Sequence, residues 1–188
     1  MLSAITEKIT SLIIAAGSLF FSSVTGINPG FSDVKIVVED NQIVCSASLT
    51  NCYSKDLDKI FLSGQNIKIN FTIQTFEQGK KKPIYEKKFY HQIKYDLVDE
   101  YFEVFLSEKK DNFITNSLKE AKDKLARVEQ IEAAKSTLLK FGKKYYIKLI
   151  ATMQPIFFDA FQKNIDLMIY WNNKKATFSS ELFVKPLL

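Results

Sequence analysis

The chain holds one histidine, His91, one arginine, Arg127, and two cysteines, Cys45 and Cys52, among 188 residues. With so few imidazole and thiolate donors, and the cysteines poorly spaced, a zinc or copper site lacks ligands. The six glycines are scattered, so no glycine-rich loop is there to cradle a phosphate. Ser63-Gly64 has no G-x-S-x-G around it and reads as a helix exit, not a nucleophile elbow. Six glycines and four prolines also argue against a disordered or linker-rich chain. The lone arginine weighs against a nucleic-acid partner, because the planar guanidinium is the side chain best shaped for phosphates and base edges.

What is abundant is aromatic. Sixteen Phe and eight Tyr in a chain that is 46% hydrophobic favour strands and broad contact surfaces. A chain of 188 residues suits one domain whose core needs neither metal nor disulfide staples. The net charge is +5 and the isoelectric point near 9.0. The lysines are largely interleaved with acids, as in Lys55-Asp56-Leu57-Asp58-Lys59, which reads as a mildly basic solvated surface.

Near the start, Leu12 to Phe21 form an uncharged apolar run, preceded by Lys8 and followed by Ser22-Ser-Val-Thr-Gly26. A charged residue, an apolar stretch and a small-residue exit describe a secretory signal. The run of about 10 residues is short of the roughly 20 that span hydrocarbon. Counting hydroxyl residues, Ile9 to Ile27 just reaches that length. Residues 1–26 are therefore read as a signal peptide or an N-terminal membrane anchor, and 27–188 as a single β-rich extracytoplasmic domain. If cleaved, Val24 and Gly26 fit the small positions. A Cys45–Cys52 disulfide needs Cα atoms within about 7 Å. An extended chain would separate them by about 23 Å, and Ser46 to Asn51 offers no Gly or Pro to fold it back. Two buried free thiols are the expectation.

Past Asn28-Pro29-Gly30, strand patterns dominate. Val34–Val38 and Gln42–Leu49 flank the turn residues Glu39-Asp-Asn41, with Ile43, Cys45, Ala47 and Leu49 on one face. Ser54 predicts a cap for a helix over Lys55 to Leu62, closed by Gly64. Ile67, Ile69, Phe71 and Ile73 alternate with polar residues, the mark of a half-buried antiparallel strand. Further strands are expected over Ile84–Tyr95, Tyr101–Leu106 and Tyr145–Met153. Ser117-Leu-Lys-Glu120 is a capping box. Leu118, Ala121, Leu125 and Val128 at helical spacing then predict a helix to about Glu129, resuming across Ala133 to Lys140. Ile165–Trp171 and Thr177–Val184 are expected to close the chain as a hairpin around Asn172–Lys175. The sum is a mainly β, α+β domain: an antiparallel β-sandwich or strongly twisted sheet of about eight strands with two inserted helices.

The polar groups are weighed one by one. His91 shares a strand face with Phe89, Ile93 and Tyr95, while Asp96, five residues on, faces the other way. It is expected to be a strand histidine hydrogen-bonded within the sheet, not a general base. Asp96, Asp99, Glu100 and Glu103 read as a solvated turn before a hard-cation site. Lys80-Lys-Lys82 and Lys87-Lys88 read as polar turn residues before a contact for anionic headgroups. Phe157, Phe158 and Phe161 are the residues singled out for ligand or partner contact, though their i, i+1, i+4 spacing also suits a core.

Several of these features fall in a recognisable order. Leu62-Ser63-Gly64 precedes a long strand, and His91-Gln-Ile-Lys-Tyr95-Asp96-Leu97 precedes Tyr101. Gly142 comes before Tyr145-Tyr146, and Trp171 and Phe178-Ser-Ser-Glu181 lie at the end. The order resembles the bacterial exported family of domain of unknown function 4390 over nearly everything after about residue 31. The resemblance implies an N-terminal signal or anchor and a sheet-rich domain outside the cytoplasm, in the periplasm, on the inner membrane or at the cell surface. It implies no activity.

The function expected is a non-catalytic interaction or structural module of a cell-envelope or surface assembly, without cofactor, metal or catalytic residues. Its partners would be envelope or surface proteins, self-association included, with membrane contact through the N-terminus and no nucleic acid. The alternative is a periplasmic carrier or sensor of an apolar, lipid-like ligand.

Overall fold

The structure, a computed structural model, describes residues 26–39, 41–158 and 162–185. The N-terminal apolar run and Phe161 lie outside the described residues.

Strands β1 (Gly30–Glu39) and β2 (Gln42–Thr50) form the expected hairpin. Ile43, Cys45, Ala47 and Leu49 are buried together, as the period-two pattern requires. Helix α1 (Lys55–Phe61) starts at Ser54, whose hydroxyl accepts from the Leu57 amide, and buries Leu57, Ile60 and Phe61. Gly64, at φ +76°, makes the left-handed exit; a Cβ there would sit 3.1 Å from Leu97.

The large sheet is built on β3 (Ile67–Glu77) and β8 (Lys144–Met153), paired antiparallel from Ile69↔Met153 to Glu77↔Tyr145. On one side β3 pairs with β4 (Tyr85–Tyr95), which pairs with β5 (Phe102–Leu106), which pairs with β6 (Asp111–Thr115). On the other, β8 carries β11 (Ala176–Ser179) and β12 (Phe183–Val184) in tandem along one edge. Ser180 bridges the break between them: its Oγ accepts from the Ile147 amide at 2.9 Å and its own amide donates to the Ile147 carbonyl.

Odd-numbered residues of β3 and β8 point into the core, and the even ones face outward. The core face is covered by a second sheet, in which β2 pairs with β1 and with a strand over Arg127–Lys135, by α1, and by helix α2 (Leu118–Ala126). β7 (Arg127–Lys135) lies against β3 and β4, where Thr75 Oγ1 donates to the Ala133 carbonyl at 2.6 Å. The fold is thus mainly β, with twelve antiparallel strands among the described residues and two α-helices, in two layers.

Three local expectations are corrected. The central helix does not run to Glu129 or resume beyond Ala133: it ends at Ala126 and the chain becomes strand β7. The misleading signal is a β-bulge. Ile131 pairs with Cys45 and Val128 with Ala47, so two residues of β7 oppose Ser46, and Gln130 takes a left-handed φ of 53° with its amide on Ser46 Oγ. The extra residue spaces the inward side chains Val128 and Ile131 by three, a helical interval produced by a strand. Leu167–Trp171 is a 3₁₀ helix capped by Asp166, not the first arm of a hairpin. Left-handed Asn172 and Asn173 then turn the chain into β11. Finally, β6, and the short pair β9 (Ile156–Phe158) and β10 (Lys163–Ile165), add strands beyond the eight expected.

Candidate functional site

His91 was the natural place to look for chemistry, and it sits at the centre of the molecule. β4 carries it inward between the rings of Phe71 and Phe89, at centroid distances of 4.7 and 5.7 Å. Its side chain is 0% exposed and that of Glu108, in the β5–β6 turn, 2%. Nε2 lies 3.0 Å from Glu108 Oε1, and Nδ1 lies 2.8 Å from the Leu125 carbonyl. Leu125 belongs to the last turn of α2, whose carbonyls have no partner further along the helix. Both ring nitrogens are thus engaged by acceptors, a carbonyl on one side and a carboxylate on the other. Burial works against the Glu108 carboxylate, but the hydrogen bond and charge of His91 outweigh it and hold the carboxyl below the ordinary glutamate value. A cation is also favoured at a helix C-terminus. The pair therefore ties β4, the β5–β6 turn and the end of α2 together.

The carboxylate partner is Glu108 and not Asp96, which faces solvent and accepts from the Val98 and Asp99 amides at 2.8 and 3.0 Å. Those bonds hold the Asp96 carboxyl below its usual value, as befits a turn. Among the described residues no cluster of His, Cys, Asp or Glu has the makings of a metal site. Cys45 and Cys52 are both free and buried. Burial pushes their thiols up to about 11 and about 12 respectively. A thiolate is the reactive form, so both are inert at neutral pH.

The three phenylalanines do not form one surface. Phe158 is in the core, whereas its neighbour Phe157 is 44% exposed, because successive strand residues point to opposite sides. Phe157 lines a cleft of about 230 Å³ with Gln65, Asn66, Lys68, Gln154, Pro155 and Ile156. Four of those seven side chains are polar or charged, so the cleft is not an apolar pocket.

A feature that sequence reasoning missed is the free margin of the large sheet. β6 pairs with β5 on one side and with no other strand among the described residues. It carries Ile114 at 62% exposure, and α2 lies against it. β1 is likewise an outer strand, with Val37 and Val38 exposed near the hairpin tip. Asp111-Asn-Phe-Ile-Thr115 has neither the length nor the strict alternation that marks an inner strand, so its pairing partner β5 was needed to reveal it.

Among the described residues no helix is long and apolar enough to cross a membrane. Comparison with curated proteins and with solved structures finds no match to the chain. A family model does match, over residues 29–155, which takes in both sheets' central strands, both helices and the His91–Glu108 pair. The matched span contains the segments around Ser63-Gly64, His91 to Leu97 and Gly142, and this chain belongs to the family described as domain of unknown function (DUF4390).

Proposed function

We propose that this chain is a non-catalytic interaction module that works outside the cytoplasm, joining a cell-envelope or surface assembly by accepting a partner's strand at an open sheet edge. The observation that carries the reading is β6, a strand with one unpaired side and Ile114 at 62% exposure. Edge strands in soluble proteins are usually blunted by lysine, proline or a bulge. Asp111-Asn-Phe-Ile-Thr115 has none of these. Asp111 places a charge at one end and α2 lies against the strand, but its side away from β5 still offers main-chain donors and acceptors for β-augmentation, with Ile114 as the side-chain contact.

Support for the non-catalytic part comes from His91, committed on both ring nitrogens to structural partners in the core. The extracytoplasmic part rests on the apolar run Leu12–Phe21 and its small-residue exit. A lipid carrier calls for an apolar cavity of several hundred Å³. The cleft beside Phe157 is about 230 Å³ and largely polar, so that cleft does not match the description.

The test is a native pull-down from solubilised envelopes with the full-length chain and its Ile114→Lys variant as parallel baits. Ile114 is exposed, so the substitution should leave stability within about 0.5 kcal/mol. Stoichiometric partners held by the unaltered chain and released by Ile114→Lys support the edge. Partners retained equally by both baits place the contact elsewhere. A partner-free bait that brings down lipid replaces this reading with the carrier.

A further inference from the structure

We infer that the end of the large sheet formed by the β3–β4 turn and the segment before β8 docks on an anionic phospholipid surface. Two lysine-rich turns that are far apart in sequence meet there. The Gln78 amide donates to the Lys144 carbonyl at 2.8 Å, Glu77 stands opposite Tyr145, and Lys143 Nζ lies 3.8 Å from Glu77 Oε1. Lys80, Lys81 and Lys82 from one turn, and Lys140, Lys143 and Lys144 from the other, are all exposed, with no acidic residue in either turn. These six are among the 26 basic residues of the chain, and strand pairing brings them from two separate segments to one end of the sheet. Acids near this end include Glu77, Glu39 near the tip of the β1–β2 hairpin, and Glu181 beside Leu182. Lys87 and Lys88 do not join it: Lys88 pairs with Glu86 along β4.

The same end displays apolar side chains. Phe141 is 67% exposed, on a turn that Gly142 makes with φ +72°. Lys185 Nζ lies 4.6 Å from its ring centroid, and Leu138, Leu182 and Val184 are exposed beside it in sequence and along the β8 edge. A single exposed apolar residue means little. An aromatic and three aliphatics set among six lysines match the two demands of a bilayer interface, apolar insertion and charge at the headgroups. A nucleic-acid surface would use arginine and has no role for Leu138 or Val184.

The experiment places a fluorophore at the contact in the full-length chain. Trp171, the only tryptophan, is fully buried and supplies a constant background. Phe141→Trp then reports on this end, and Val98→Trp, at a site 68% exposed in the β4–β5 turn, reports on the opposite end. Residue 27 also enters at that opposite end, where the Ile27 amide donates to the Tyr170 carbonyl. With vesicles of mixed phosphatidylglycerol and phosphatidylcholine, Phe141→Trp emission should move to the blue and be quenched by brominated lipid, while Val98→Trp stays unchanged. Replacing Lys80, Lys81 and Lys82 with glutamine should weaken the response on the order of 100-fold, at about a kcal/mol per charge, and high salt should suppress it. An equal response with phosphatidylcholine alone, a response confined to position 98, or a response to single-stranded oligonucleotide but not to vesicles would each overturn the inference.

Discussion

Replacing Glu108 with leucine would leave the His91 ring buried with a carbonyl on one side and nothing on the other. The two groups are 0% and 2% exposed and 3.0 Å apart. At an effective dielectric of about 20, two unit charges at that separation attract by about 5 kcal/mol. Most of that is offset by desolvation in the intact pair, but breaking a buried pair from one side costs about 3–5 kcal/mol, because the survivor keeps its desolvation and loses its partner. His91→Leu should fall in that range, and Glu108→Leu below it, at about 1–3 kcal/mol, because an unpaired ring can lose a proton and keep its bond to the Leu125 carbonyl. The double variant removes both charges and leaves mainly the Leu125 carbonyl unpaired, a cost of about 1–3 kcal/mol. Urea unfolding followed by the emission of the buried Trp171 measures all four proteins. The reasoning predicts that the double variant is more stable than His91→Leu and that the two single effects do not add. It is refuted if the single effects add, or if either substitution alone costs less than about 1 kcal/mol.

Three more expectations follow from the same geometry. Because the Glu108 carboxyl is held below its ordinary value, the unfolded chain takes up that proton at higher pH than the folded one. Its stabilisation is complete above about pH 4.3 and is lost as pH falls through the folded value, so acid unfolding should be shallower in Glu108→Leu than in the unaltered chain. Thr75→Val removes the 2.6 Å bond to the Ala133 carbonyl that joins the two layers and should lower urea stability by about 1–3 kcal/mol; no change would mean the carbonyl finds another donor. Cys45 and Cys52, with thiols raised to about 11 and about 12, should resist maleimide in the native state and label fully once unfolded. Rapid native labelling at either one would show that the β2 region opens far more readily than its burial implies.

Much of this architecture could be read along the chain because local rules wrote it. Period two over Ile67–Ile73 and a hydroxyl cap at Ser54 depend on residues within a few positions, and both stand in the structure as read. So do the Ser117 cap and the left-handed glycine after α1, and the two cysteines are free as their spacing implied. The exit of α2 could not be read this way. Val128 and Ile131 satisfy a helical interval and a bulged strand equally, and the decision came from β2, whose open edge offered pairing that a longer helix would forgo. Nor could local pattern pair His91 with Glu108, 17 residues on. It showed only that the nearer carboxylate, Asp96, faces the other way. The unpaired margin at β6 and the gathering of two lysine turns at one end are likewise properties of strand order. Sequence specifies what each segment prefers to be and which of its faces is apolar. Which edges stay open, and which distant charges meet, is decided only when the segments compete for one core.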